Sequence, residues 1–313
     1  MKAKLTGEDS FESVRRFLGE NFSSPTHWPE WNLSVSRYYN TRFRYLVVEH
    51  DGIIHGICPV HEVREGLKTT LYSGQFHYIP YGGWITDDKT IPTIIDFRLP
   101  VNGRFECFSL PRSGVFGRDE PYGERVFMTL VNDLAREEEE IWSSSVDSKR
   151  RNMIRKAVRS GITVASGEDV LTDFQALYRD SLNRNGMAGL PEGFLKEMVG
   201  FTGDVRFIPF VAYNNDTPCG ALGLVYDKDY AIYWLGALSE DSPRLGQGEL
   251  LQWEAIRFSR LRGCRYYDLC YIDRDRLPHI YEFKKGFAKQ EAIIPYFNKR
   301  SLFYRVLNKI QIR

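Results

Sequence analysis

The chain has 313 residues, in which 42 Lys and Arg stand against 41 Asp and Glu for a formal net charge of +1, so no global field draws it onto nucleic acid and such binding requires a local basic patch. At 42% hydrophobic and 14% aromatic residues it has apolar material for two globular cores, the default organisation at this length. Cys58, Cys107, Cys219, Cys264 and Cys270 form no Cys-x-x-Cys pair, no His-Glu-x-x-His occurs, and no run approaches the roughly 20 apolar residues that span a bilayer; disulfide framework, zinc site and membrane span are therefore not expected, and a reduced cytoplasmic protein is.

In chain order, the pattern predicts a short helix over Ser10–Leu18 and a loop or packing corner over the aromatic stretch Thr26–Trp31. A hairpin follows from Tyr45–His50 and Ile53–Val63. Ser73–Trp84 contains Gly82-Gly83, a pair suited to positive φ or to close approach of another group. Arg104–Leu110 and Glu124–Val131 read as strands. Arg136 then opens a long helical stretch, acidic at its start and basic through Lys149–Ala157, that stops at Gly161 and is expected to connect two domains. Beyond it come helices near Asp169–Leu182 and Glu192–Phe201, and strands at Arg206–Tyr213, Cys219–Tyr226 and Tyr230–Ala237. A helix over Gly248–Arg262, a strand over Tyr266–Tyr271, a helix near Pro278–Phe287 and a strand at Ala292–Phe297 complete the order, before a basic, helical tail.

The hairpin signal occurs twice. Val47-Val48-Glu49-His50-Asp51-Gly52-Ile53-Ile54-His55-Gly56 and Val211-Ala212-Tyr213-Asn214-Asn215-Asp216-Thr217-Pro218-Cys219-Gly220 align without a gap when Gly56 is laid on Gly220. The offset is too long for a solenoid, and it implies two similar domains in tandem with a substrate cleft between them. The expected boundaries are 1–135, a connecting helix 136–160, 161–298, and a tail 299–313.

Three groups of residues could carry chemistry. Arg244, Gly246 and Gly248 lie between a strand and a helix, where glycines let helix-start N–H groups approach a phosphate; a plain connecting turn reads equally well. Arg151 and Arg155 share a helix face and, with Lys156, could grip a phosphate or carboxylate, against the reading of a solvated basic face. Asp268 stands in an aromatic strand, where a carboxylate needs a partner or a job, and Lys284 or Lys285 could supply a structural ion pair. The histidines show no catalytic grouping, and Trp234 and Trp253 read as core.

Taken together, Ile141-Trp142 through Arg150-Arg151-Asn152-Met153-Ile154-Arg155-Lys156-Ala157, Tyr266-Tyr267-Asp268-Leu269 and Phe283-Lys284-Lys285-Gly286-Phe287 resemble the FemA/FemB/FemX-like branch of the GNAT acyltransferase superfamily. The resemblance implies an α/β (α+β) fold of tandem GNAT-like domains, each a mixed, mainly antiparallel sheet flanked by helices. It implies an N-acyltransferase that moves an acyl or aminoacyl group from acyl-CoA or aminoacyl-tRNA, as substrate rather than bound cofactor, to an amine of a cell-wall or surface-polysaccharide precursor. Under it Asp268 orients or deprotonates the amine, Lys284 stabilises anionic charge, and Arg151, Arg155, Lys156, Arg244, Gly246, Gly248 and Tyr281 bind substrate or donor. The loop departs from the usual acetyl-CoA pattern by carrying Pro243 first, and near-neutral charge leans against tRNA.

Two other readings stand beside the enzyme: a non-catalytic module of the same fold holding a sugar nucleotide or peptide, and a peripheral membrane assembly protein. The second rests on Leu302, Phe303, Val306, Leu307 and Ile310, which share a helical face among cations and could touch the inner face of the membrane, where a lipid-linked precursor would be met.

Overall fold

The computed structural model describes residues 3–74, 79–87, 103–111 and 127–302. The chain divides into two units, one made of Met1–Met128 with Ala292–Arg313 and the other of Thr129–Glu291.

The N-terminal unit holds a sheet of β1 (Ala3–Thr6), β2 (Arg42–His50), β3 (Ile53–Glu65), β4 (Lys68–Ser73), β6 (Arg104–Phe108) and β14 (Tyr296–Arg300) in that order, with β5 (Ile85–Thr86) paired to β3. Helix α1 (Phe11–Glu20) buries Phe11, Val14, Phe17 and Leu18, whose spacing puts them on one face and whose burial contributes about 1.5–3 kcal/mol each. Helix α2 (Pro29–Tyr38) occupies part of the stretch expected to be loop. Its first residue is Pro29, a position where the missing N–H has no intrahelical partner to lose, so the proline starts the helix rather than breaking it.

The C-terminal unit holds the sheet order β13 (Gln290–Ile294), β7 (Phe127–Asp133), β12 (Tyr266–Asp268), β11 (Tyr230–Leu238), β10 (Thr217–Tyr226), β9 (Arg206–Asn214) and β8 (Thr163–Ser166). Its helices are α3 (Glu138–Glu140), α4 (Ser148–Arg159), α5 (Leu171–Arg184), α6 (Phe194–Val199), α7 (Gln247–Leu261) and α8 (Pro278–Lys285). Each sheet has one parallel pair among its described pairings, β4 with β6 and β11 with β12, so the expected mixed, mainly antiparallel architecture is what forms.

The repeated hairpin signal is a repeated hairpin. In the first copy Asp51 (φ 50°) and Gly52 (φ 78°) make the turn, and in the second Asn215 (φ 47°) and Asp216 (φ 62°) do so, both residues left-handed in each as a two-residue turn requires. The ladders agree pair by pair at one constant offset, with Val48↔Gly56 recurring as Ala212↔Gly220 and His50↔Ile53 as Asn214↔Thr217. Both carry a bulge just before the glycine, at His55 and at Cys219.

Several boundaries differ from the sequence reading. The stretch from residue 136 is not one connecting helix: α3 widens into a π turn at Ile141–Ser145, and the chain turns out at Val146 before α4 begins. Asp147 breaks it by capping α4, its side chain accepting from the Arg150 N–H at 2.7 Å. Ile141, Val146, Ile154 and Ala157 belong to the core of the C-terminal unit with Leu222, Leu250 and Ile256, so this segment is packing rather than linker. β7 likewise enters the C-terminal sheet, between β13 and β12. Lys299 and Arg300, expected in a helical tail, pair in β14 with Phe105 and Arg104. Phe303, Val306, Leu307 and Ile310 lie outside the described residues, as does the start of the strand expected at Glu124.

Candidate active site

Of the expected site residues, Asp268 and Lys284 lie at the departure of β12 from β11. These two strands pair only at Tyr230↔Tyr266, Ala231↔Tyr267 and Ile232↔Asp268, while β11 runs on to Leu238 against β10. The strand expected over Tyr266–Tyr271 thus ends at Asp268, and Leu269 already bonds elsewhere, its N–H donating to the Leu130 carbonyl at 2.9 Å. Beyond Ile232 no pairing among the described residues joins the two parallel strands, a gap in the ladder. A bulge at Trp234, between the pairs Leu224↔Tyr233 and Gly223↔Leu235, re-aims β11 there.

Asp268 sits at the base of this gap and is fully buried. Its carboxylate accepts from Thr129 Oγ1, Tyr230 Oη and the Cys270 N–H, each at 2.6 Å. These donors meet the cost of burying the group. All of these bonds stay within the protein. The carboxylate fixes a turn: Cys270 takes the left-handed conformation at φ 63°, uncommon for a non-glycine residue, and its carbonyl accepts from Lys284 Nζ at 3.3 Å.

Lys284 is itself buried, with Nζ 5.3 Å from the centre of the Tyr233 ring. Burial pushes its ammonium below the ordinary lysine value of 10.5, and the nearby Cys270 and Asp268 oppose the shift. Lys284 thus joins α8 to the turn at Cys270, beside Tyr233 of β11.

A second group lies at the start of α7. Gly246 caps the helix at φ 96°, and a Cβ there would fall within 3.0 Å of the Met153 carbonyl on α4. The glycine is needed for both reasons. Gln247 locks the preceding loop, accepting from the Leu245 N–H at 2.9 Å and donating to the Pro243 carbonyl at 3.0 Å. The first intrahelical bond is Leu250 N–H to Gly246, so the N–H groups of Gln247, Gly248 and Glu249 precede the helical ladder. Lys156, grouped by sequence with Arg151 and Arg155, instead donates to the Arg244 carbonyl at 3.0 Å and so stands beside the loop of Gly246 and Gly248.

Arg151, Arg155 and Tyr281 are not part of these groups. The Arg151 guanidinium donates to the carbonyls of Trp142 and Ser143, both at 3.1 Å, and to that of Val146, closing the end of the π turn. Arg155 lies 5.6 Å from the centre of the Trp142 ring and bonds Asn152. The two arginines do not converge on one anion because the break at Val146 gives Arg151 carbonyls to satisfy. Tyr281 donates to Glu291 at 2.6 Å, toward β13.

Arg150, quoted in the resemblance motif, and Thr129, Tyr230 and Cys270, which had no assigned role, border these groups. Arg150 pairs with Glu249 at 2.9 Å and lies 4.8 Å from the centre of the Phe283 ring, so it joins α4, α7 and α8. Thr129 and Tyr230 hold Asp268 from far along the chain, and no local pattern could reveal that contact. Cys270 had a signal, its position two residues after Asp268. Among the described residues no cluster of three or more His, Cys, Asp or Glu side chains is arranged to hold a metal, and no helix is long and apolar enough to cross a membrane.

Residues 144–285, which span nearly all of this site, match the acetyltransferase (GNAT) domain family. That segment is similar to a GNAT domain. The fold of the chain is similar to that of FemX, at 12% identity with 99% of this chain and 100% of the other covered and a TM-score of 0.69. It is also similar to the C-terminal domain of a putative lysylphosphatidylglycerol synthetase from Agrobacterium fabrum, at 13% identity, 98% and 97% coverage and a TM-score of 0.58. A tandem GNAT protein from the clavulanic acid biosynthesis pathway matches at 12% identity, 95% and 98% coverage and a TM-score of 0.52. No curated protein matches the chain by sequence. The GNAT resemblance and the tandem GNAT-like fold are thereby borne out, the likeness to FemX being one of fold.

Proposed function

We propose that the C-terminal unit is an N-acyltransferase that takes its activated donor in the gap between β11 and β12 and passes the acyl or aminoacyl group to an amine. The observation that carries this reading is the buried Lys284, held at the gap by the left-handed Cys270 turn. In such a transfer the amine nitrogen attacks the donor carbonyl, an oxyanion forms, and the thiol or ribose hydroxyl leaves with the electron pair of the broken bond. An ammonium at the gap stabilises that negative charge. Asp268 acts as a positioning residue, because it holds the turn whose carbonyl holds Lys284. Proton transfer from the amine then falls to water.

The start of α7, with Lys156 alongside, suits a phosphate of the donor, since N–H groups ahead of the helical ladder favour an anion. Acyl-CoA fits this arrangement, and aminoacyl-tRNA remains the alternative donor of the same reading. The acceptor proposed is an amine on a cell-wall or surface-polymer precursor, in keeping with the FemX-like fold. Cytoplasmic location, at the inner face of the membrane for a lipid-linked acceptor, goes with that proposal. The non-catalytic alternative keeps the gap as a binding cleft alone.

The test is thermal unfolding of the intact chain with coenzyme A thioesters, stable aminoacyl-tRNA analogues and UDP-sugars. A donor class that binds the native state at 100 times its Kd adds about 2.7 kcal/mol and raises Tm. A rise with UDP-sugars alone, and with neither donor class, would favour the binding module.

A further inference from the structure

The matching ladders allow the two gaps to be compared position by position. His61↔Tyr72 in the N-terminal unit corresponds to Val225↔Ile232 in the C-terminal unit, so Tyr72 stands where Ile232 does. Across the parallel pair, Tyr72↔Glu106 then corresponds to Ile232↔Asp268. Two residues further along, Phe108 stands where Cys270 does.

At this point the units diverge. In the C-terminal unit the third strand is continuous: β11 stays on β10 as far as Gly220↔Leu238, and among the described residues no strand pairs its other edge after Ile232. In the N-terminal unit the third strand is interrupted. β4 ends at Ser73, and Gly82–Thr86 runs in the same direction farther along β3, pairing with it at Gly56↔Thr86 and Ile57↔Ile85. This segment also bonds to the end of β6. Gly82 N–H donates to the Phe108 carbonyl at 2.8 Å and Leu110 N–H donates to the Gly82 carbonyl at 2.9 Å.

So the carbonyl that receives Lys284 Nζ in one unit receives a backbone N–H in the other. The seam is tight. A Cβ on Gly74 would fall 2.5 Å from the Gly82 nitrogen, and Cβ atoms on Gly82 and Gly83 would collide with Ser73 and Ser109. These glycines are what allow the chain to close on itself.

Building on the donor reading above, we infer that the N-terminal repeat has filled its own copy of the donor gap with the re-entrant segment Gly82–Thr86, which leaves one open gap per chain, in the C-terminal unit. A linear, amide-bearing donor arm lodges in such a gap by taking the place of a missing strand neighbour. Where Gly82 has already taken that place, no arm can enter.

The experiment is amide hydrogen exchange on the intact chain, alone and with acetyl-CoA, combined with the number of acetyl-CoA molecules bound at saturation by calorimetry. Without ligand, the Gly82 and Leu110 amides should exchange as slowly as the β2–β3 ladder, because both are bonded inside the sheet. Acetyl-CoA should bind at one equivalent and slow exchange around residues 233–238 and 246–249, leaving 79–86 and 105–110 unchanged. Fast exchange at Gly82 and Leu110 without ligand, two equivalents bound, or new protection at 79–86 would overturn the inference. Zero equivalents with slow Gly82 and Leu110 amides would reject coenzyme A thioesters as donors and uphold the closed N-terminal gap, so the two failures are distinguishable. Gly82→Ala, whose new Cβ meets Ser73, should lower Tm without adding or removing an equivalent; a second equivalent gained would also count against closure.

Discussion

Asp268 and Lys284 show how a charge can be kept in a core for what it orients. Thr129 and Tyr230 hold the carboxylate, the carboxylate holds the Cys270 N–H, and the Cys270 carbonyl holds Lys284. Thr129→Val removes one donor to a buried carboxylate and should cost about 1.5–3 kcal/mol, read as a fall in unfolding free energy by chemical denaturation. An effect within error would mean that Thr129 does not support Asp268. Lys284 titrates below 10.5, so between its lowered value and 10.5 the native state binds fewer protons than the unfolded chain. Stability contributed through this group therefore rises with pH across that window. Comparing wild type with Lys284→Met by thermal unfolding from pH 7 to 10.5, wild type should gain on the variant as pH rises. Parallel curves would show that the ammonium is not penalised by burial.

At the scale of elements, local chemistry decided what could be read from the chain. Asp51-Gly52 and Asn215-Asp216 dictate left-handed turns by their own residue types, so both hairpins were legible together with their alignment on Gly56 and Gly220. Gly246 and Gly248 were legible as a helix start for the same reason. Arg151 was not, because its partners are carbonyls freed by a break at Val146, and that break depends on Asp147 capping α4. Gly246→Ala, forced to φ 96° against the Met153 carbonyl, should cost about 1–3 kcal/mol and weaken donor binding; unchanged stability would contradict the close approach of α4 and α7. The re-entrant segment of the N-terminal unit has its own signature. His27 is fully buried near Gly82 and Gly83, whose backbone partly opposes burial, and burial pushes the imidazole from 6.5 down to about 4. The unfolded chain binds the proton first as pH falls, so about 3 kcal/mol of stability should be lost between pH 6.5 and 4. His27→Gln should flatten that part of the stability profile, and an unchanged acid slope would show that His27 does not carry it.

For the whole molecule, the tandem organisation was legible and its seams were not. The expected boundary after residue 135 falls past β7, which belongs to the C-terminal sheet, and the last described strand, β14, completes the N-terminal sheet. Pairings between strands so far apart leave no periodic trace, since each strand carries only its own alternation. The same distance hides Thr129 from Asp268, so the site was legible as a strand and a helix but not as a relay. In the proposed function the C-terminal unit takes its donor at the gap between β11 and β12, beside a buried ammonium and a helix start, within the segment that matches the GNAT domain family. The most direct measurement of that claim is product formation by mass spectrometry, with acyl-CoA and aminoacyl-tRNA donors and amine-bearing envelope precursors, for wild type and Lys284→Met. Wild type should form the amide with one donor class, and Lys284→Met should lose roughly 100-fold or more in kcat while binding that donor within several-fold of wild type. Equal turnover by the variant, or no amide formed from either donor class, would contradict the account.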